Sequence, residues 1–352
     1  MPASLRSPER APASIRWRVR RRLALLSIAL VLAPIICMHF GAAKVSVAQI
    51  AQVMLSHLPS SGITPPSPIA DALIWDNRAP RVLAGLGIGA ILAVGGSALQ
   101  AMTRNPLAEP YVLGVSSGAS AGAATSVVLL GVAHGAGLSA MAFLGAALAT
   151  ALVLAVGGGR NQGVLHLVLA GLACGFIFQS MTNLIVFSSA DPETARSVMF
   201  WMLGSLSHST WESAWAAALV ALILTVLFWV AAPLLDAVSS GDTTALTVGI
   251  DPVRIRLVIT LVVSAAVAVA VATAGGIGFV GLVVPHLCRH FLARNHRVLV
   301  VGTAMSGGIF LVVADTVARV IFAPSEIPIG VVTGLVGAPI LLVMIRSMKA
   351  PR

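Results

Sequence analysis

The chain has 352 residues, of which 58% are hydrophobic and only 10% charged, with a mean hydropathy of +0.97 and a formal net charge of +10. A soluble domain carries about a quarter charged residues, so this chain cannot cover itself with polar surface, and apolar runs near or above about 18 residues recur along nearly its whole length. A soluble globular protein and a protein with one membrane anchor are both excluded; the composition describes an all-α, polytopic membrane protein.

Residues 1–22 form a basic segment ahead of the first apolar run. No clear small-x-small cleavage site follows that run, so it is read as a first span with a cytoplasmic start rather than a removed signal peptide. Spans are predicted near 23–41, 82–103, 112–133, 138–157, 164–187, 213–232, 255–274, 276–292, 298–320 and 328–347, and residues 23–352 are read as a single transmembrane domain. The connection 42–77 is the longest outer one, where Pro59, Pro65, Pro66 and Pro68 exclude a continuous helix.

Between the second and third spans stands a polar break, Asn105-Pro106-Leu107-Ala108-Glu109-Pro110, followed by the small-residue run Gly114-Val115-Ser116-Ser117-Gly118-Ala119. Two prolines stop one helix, a carboxylate does not sit unpaired in hydrocarbon, and small residues suit a closely packed helix beyond. Glu109 is expected either to pair with nearby Arg104 at the surface or to meet a partner protein. The fifth span carries Gln179, Ser180, Thr182 and Asn183 among apolar residues; these either face a passing ligand or bridge helices.

The connection 233–254 is the longest internal polar one. In it Asp242 is placed to cap a short helix, Gly249 to end it and Pro252 to begin the next, which predicts a compact knob. Only Ala274-Gly275-Gly276 separates the seventh and eighth spans, and the block Gly275-Gly276-Ile277-Gly278-Phe279-Val280-Gly281-Leu282-Val283-Val284-Pro285-His286 predicts a tight turn and close helix approach. In the ninth span Asp315 and Arg319 have the spacing of an intrahelical ion pair.

With the amino terminus inside, every Lys and Arg except Lys44, Arg78, Arg81, Arg196 and Arg319 falls on the cytoplasmic side, and both termini are predicted cytoplasmic. That topology accounts for the basic balance; the arginines lack the aromatic interleaving of a nucleic-acid surface. Cys37, Cys174 and Cys288 are isolated and read as buried apolar residues, and His286 with His290 reads as a polar helix end rather than a metal site. No nucleophile-base set marks an enzyme, and no GxxxxGK[ST] loop is present, so ATP chemistry needs another chain.

Four blocks in this order, Asn-Pro-Leu-Ala-Glu-Pro, Gly-Val-Ser-Ser-Gly-Ala, Gly-Phe-Val-Gly-Leu-Val-Val-Pro-His and, from residue 328, Pro-Ile-Gly-Val-Val-Thr, resemble the permease subunit of bacterial type II ABC importers for ferric siderophores, haem and vitamin B12. The resemblance covers roughly 75–350. It implies about ten spans, a homodimer in the inner membrane with its pathway on the two-fold axis, two cytoplasmic ATPase subunits that hold ATP and Mg, and a periplasmic binding protein. No cofactor or metal is implied on this chain itself, which would be a conduit with no catalytic residue.

Residue by residue, the resemblance makes Arg78, Arg81 and Arg319 the docking site for binding-protein carboxylates, with Arg319 alternatively spent on Asp315. It makes Asn105 and Leu107 a cytoplasmic gate, and Gln179, Ser180, Thr182 and Asn183 the pathway lining. Ser240, Gly241, Asp242, Thr243, Ala245, Leu246, Gly249 and Ile250 fall in its ATPase-coupling helices. Its second constriction usually offers small hydroxyl residues, whereas Gly163-Val164-Leu165-His166 stands here. The cargo expected is an iron chelate, a ferric siderophore or haem, with vitamin B12 the alternative; from another class, an ion-coupled secondary transporter would share the polar breaks and the Asp315–Arg319 pair but would not need the knob.

Overall fold

The computed structural model describes residues 13–347 apart from 42, 60, 160–162 and 293–294. Arg6, Arg10, Arg160, Arg294, Lys349 and Arg352, expected on the cytoplasmic side, lie outside the described residues. The chain runs α1 (Ala13–His39), α2 (Val47–Ser56), α3 (Pro68–Thr103), α4 (Val115–Leu129), α5 (Gly135–Gly157), α6 (Val164–Phe187), α7 (Pro192–Met202), α8 (Trp211–Val230), α9 (Ala232–Ser239), α10 (Asp242–Thr247), α11 (Pro252–Ala274), α12 (Val280–Phe291), α13 (His296–Val320) and α14 (Ile329–Ser347). Every predicted span coincides with a helix. Eight of these helices are long and apolar enough to cross a membrane; α4 and α12 are shorter.

The core is built around α3, whose most apolar stretch is 83% buried against 22% for α6. In hydrocarbon there is no hydrophobic drive between helices, so close van der Waals approach must hold them, and small residues permit it. A Cβ on Gly89 would come 2.1 Å from the carbonyl oxygen of Gly307 on α13, and one on Gly96 would come 1.9 Å from that of Gly281 on α12. These backbones touch at distances that only glycine allows.

Two predicted boundaries are corrected. The second span begins near 82 in the sequence reading, but α3 starts at Pro68, with Ser67 capping it through the Ala70 N–H. Pro80 lies inside this helix without an N–H to give, and the chain accommodates it by a wide π turn over Ala72–Arg78, where the Ala79 N–H reaches back to the Ile74 carbonyl. The prolines before 68 do exclude a continuous helix, yet the same connection also holds α2, started by a reciprocal cap between Ser46 and Gln49.

The eighth span, expected from 276, becomes helical only at Val280 and is 12 residues long, about 18 Å against the roughly 30 Å of a hydrocarbon core. Residues 275–279 are non-helical, with Gly275 at φ +72° and Phe279 at +69°. The sequence marks the glycines but gives no sign that the stretch would stay unwound, because the groups that satisfy it come from far along the chain.

Candidate functional site

Those groups come from the polar break, here called the elbow. Glu109 Oε1 accepts the Phe279 N–H at 2.7 Å and the Tyr111 hydroxyl oxygen accepts the Ile277 N–H at 2.8 Å. A helix N-terminus carries unpaired N–H groups and a positive dipole end, so a carboxylate there is favoured. Glu109 therefore does not pair with Arg104; it caps the unwound approach to α12. Its carboxyl, in the connection between two spans, is pushed up by burial, an effect opposed by the Phe279 hydrogen bond.

A second tie joins elbow and α12. The Gln100 amide donates to the carbonyls of Ala108 and Gly281, both at 3.2 Å, while its oxygen accepts from the Arg289 guanidinium. Neither residue was singled out from sequence; each is an ordinary polar residue on an apolar helix until the fold brings them together. Within the elbow, Asn105 Oδ1 accepts the Leu107 N–H at 2.9 Å, closing an Asx turn. Asn105 is exposed, and Leu107 is half-buried against the cluster of Leu282, Val283 and Met344.

The knob has the predicted pair of short helices, α9 and α10. Gly249, at φ +78°, ends α10, with the Ile250 N–H returning to the Ala245 carbonyl at 2.9 Å; Asp251 caps α11, whose first residue is Pro252. Asp242 does not cap α10, which Gly241 precedes at φ +123°. Its carboxylate instead meets the Arg256 guanidinium and lies 3.5 Å from Arg104 Nη2. Asp236 of α9 likewise meets His296 at the start of α13.

Of the predicted coupling residues, Ala245 is fully buried and packs the knob onto the body. Thr243, Leu246 and Gly249 are exposed, as are neighbouring Val248 and Ser240; Gly241, Asp242 and Ile250 are half-buried. Leu246 at 60% and Val248 at 62% exposure give the knob an apolar tip.

On α6 the four predicted lining residues separate. Thr182 is 1% exposed and its hydroxyl donates to the Phe178 carbonyl at 2.8 Å, so it does not share the open face expected of it. Ser180 and Asn183 are exposed, and the half-buried Gln179 donates to Asn183 Oδ1 at 3.1 Å. They sit on a helix that also exposes Leu172, Phe176, Ile177 and Leu184. At the start of α6, Gly163, Val164 and Leu167 border a small cleft with Gly157, Val253, Arg256 and Thr260, whereas Leu165 points away and is exposed.

Arg78, Arg81 and Arg319 converge at the other end of α3, but none presents a free guanidinium at the surface: they are 3%, 4% and 5% exposed. Arg81 forks onto Asp315, with Nε and Nη2 at 3.0 and 2.8 Å, and reaches Glu326 at 2.9 Å. The expected Asp315–Arg319 pair forms at 3.1 Å, so one carboxylate, 1% exposed, serves two arginines. Arg319 also donates to the Cys37 and Phe40 carbonyls, and Arg78 to those of Met38 and Ala43. Arg78 of α3 and Arg319 of α13 thus clamp the end of α1, and Arg81 with Asp315 locks α3 to α13, an arrangement that docking alone does not require.

The three cysteines are buried and free, and the His286 and His290 rings lie 5.4 Å apart.

Eight helices long and apolar enough to cross a membrane, an unwound approach to α12, a polar elbow and a knob of two short helices fit a multi-pass membrane permease of the ABC importer type. A family model for the FecCD transport family matches residues 28–347, and the chain belongs to that family. The vitamin B12 import system permease protein BtuC of Salmonella typhi is 37% identical over 283 residues, covering 79% of this chain and 85% of the relative, and that of Salmonella newport is equally similar. A solved inward-facing conformation of a metal-chelate type ABC transporter superposes with a TM-score of 0.81 at 28% identity, over 94% of this chain and all of the other. PsaBC from Streptococcus pneumoniae, in complex with Fab, shares the fold at a TM-score of 0.53 and 15% identity, over 78% of this chain and 92% of the other.

Proposed function

We propose that this chain is the transmembrane conduit of an ATP-driven importer whose cargo is vitamin B12 or a close corrinoid. Both Salmonella relatives are vitamin B12 import permeases, which supports placing vitamin B12 ahead of the iron chelate that the sequence reading put first. An iron chelate is the second reading, favoured by the likeness to a metal-chelate type transporter.

The observation that carries the ATP-driven reading is the knob. Exposed Leu246 and Val248 form an apolar tip suited to a groove on a separate ATPase subunit, and the carboxylates behind them tie the knob to α13, α11 and the elbow. An ion-coupled carrier has no use for such a tip. ATP and Mg belong to that partner, and the knob end is the cytoplasmic side of the inner membrane, as the basic residues favour. Asn105 and Leu107 then stand at the inner exit. Two copies pair with α6 toward their shared axis, so that Ser180, Asn183 and Gln179 offer weak polar contacts to a passing ligand.

At the outer end, a binding-protein carboxylate reaches Arg81 by displacing Glu326, whose side chain is 40% exposed, while Asp315 stays in place. Uptake of labelled vitamin B12 into vesicles holding this chain, its ATPase subunit and its binding protein is expected only with ATP. Uptake driven by an ion gradient without the ATPase would sink the reading; ATP-dependent uptake of a ferric siderophore but not of vitamin B12 would exchange the two cargoes.

A further inference from the structure

We infer that Asp242 is the residue through which movement of the knob reaches both constriction segments at once, gripping one firmly and the other lightly. The inference rests on the reading that the knob receives an ATPase subunit. Its basis is the pair of arginines that share Asp242 Oδ1. Arg256 lines the cleft beside Gly163 and Val164, the first two residues of the segment 163–166 that by the resemblance takes the place of the second constriction. Arg104 is the residue immediately before Asn105 and closes α3 in the left-handed region, at φ 53° and ψ 30°, so it is the hinge point from which the elbow hangs.

The two arms differ in strength. Arg256 is 11% exposed at its side chain, its Nε is buried without a hydrogen-bond partner, and its contact with Asp242 is direct. A mostly buried cation whose carboxylate is removed stays uncompensated, so this arm holds. Arg104, 46% exposed and 3.5 Å away, is a solvated partner of the kind that contributes little and is screened by salt. When α10 is displaced, Asp242 carries Arg256 with it and slips from Arg104, or is returned to it. The elbow is held still at its far side by Gln100 and Glu109, so a lost tether at Arg104 frees the Asn105–Leu107 turn without unwinding the approach to α12.

The test uses the complete importer in vesicles, with a thiol reporter at Leu107→Cys; the three native cysteines are buried. In this background Arg104→Gln is expected to leave assembly with the ATPase subunit and ATP hydrolysis unchanged, to lower cargo carried per ATP by about two- to five-fold, the range of one exposed ion pair, and to remove the effect of ATP on labelling at position 107. Arg104→Lys, which keeps the charge, should restore both readouts. In an Asp242→Asn background, Arg104→Gln should add nothing.

Unchanged transport and labelling in Arg104→Gln would overturn the tether. So would additive losses with Asp242→Asn, or failure of Arg104→Lys to restore function, since the loss would then come from the turn itself. If the Leu107→Cys chain with Arg104 and Asp242 intact neither assembles with the ATPase subunit nor transports with ATP, the coupling reading falls and the tether with it; if that chain does transport and its labelling responds to ATP, but Arg104→Gln changes neither, the tether alone falls.

Discussion

The two charged clusters of this molecule use similar residues in opposite ways. At the outer end Arg78, Arg81, Arg319 and Asp315 are all 5% exposed or less, with Arg78 and Arg319 bonded to the backbone at the end of α1, while at the knob end Arg104 and Asp242 stand 46% and 40% exposed around one oxygen. Desolvated charges are costly to separate once paired, because each would be left bare; solvated charges separate at almost no cost. The outer cluster is therefore suited to a fixed clamp and the inner one to a contact that is made and broken in every cycle.

The sharpest way to break this comparison is Asp315→Asn. It leaves two buried guanidiniums without their shared carboxylate and should cost about 3–5 kcal/mol, read as a large fall in the thermal midpoint in detergent; an unchanged midpoint would deny the clamp its fixed character. Gly96→Ala asks whether the body between the clusters yields. A methyl placed against the Gly281 carbonyl should cost about 1–3 kcal/mol, and a stable variant would mean that α3 and α12 slide apart easily.

Smaller effects follow inward. Glu109→Ala should cost about 1–2 kcal/mol and speed amide exchange at Phe279, whereas Glu109→Gln, which retains an oxygen acceptor, should show less of both. Equal exchange in all three proteins would remove Glu109 from its capping role. Arg104→Gln should change stability by about 1 kcal/mol or less, with a difference from the unsubstituted chain that shrinks as salt is raised. A loss as large as that of Asp315→Asn would erase the contrast between the ends.

The clamp also changes how docking is to be probed. Replacing both Arg78 and Arg81 with Glu would place one carboxylate beside buried Asp315 and another against the carbonyls of Met38 and Ala43, and would loosen the end of α1 before docking could be measured. Glu326→Gln avoids that, because its side chain lies at the surface.

What was legible in the sequence was local. Long apolar runs marked every span, Gly249 and Pro252 marked the limits of the knob, and the prolines of the elbow marked the stop of α3, since each acts through backbone rules that span a few residues. What was not legible was made by distance. Glu109 meets Phe279 across 170 positions, Arg81 meets Asp315 across 234, and Gln100 meets Arg289 across 189. The spacing of Asp315 and Arg319 did announce their pair, but nothing nearby announces that Arg81 takes the same carboxylate. Asp242 was misread for the related reason that a carboxylate at the start of a short helix looks locally like a cap, and only the fold supplies two arginines that engage it instead. The inward turn of Thr182 escaped notice because a four-residue polar cluster on a helix spreads around more than one face.

The π turn at Ala72–Arg78 carries one residue more than an α-turn would need. In chain-length terms it is an absorbed insertion. Removing a single residue from it would return Pro80 to the α register and rotate everything before it by about 100° around the helix axis, carrying Ser67 and the whole extramembrane α2 layer to another side while leaving the glycine contacts below untouched. The α2 layer and the membrane body are thus phased to each other by one residue, which makes this turn a point where that layer can be re-aimed independently of the helices below it.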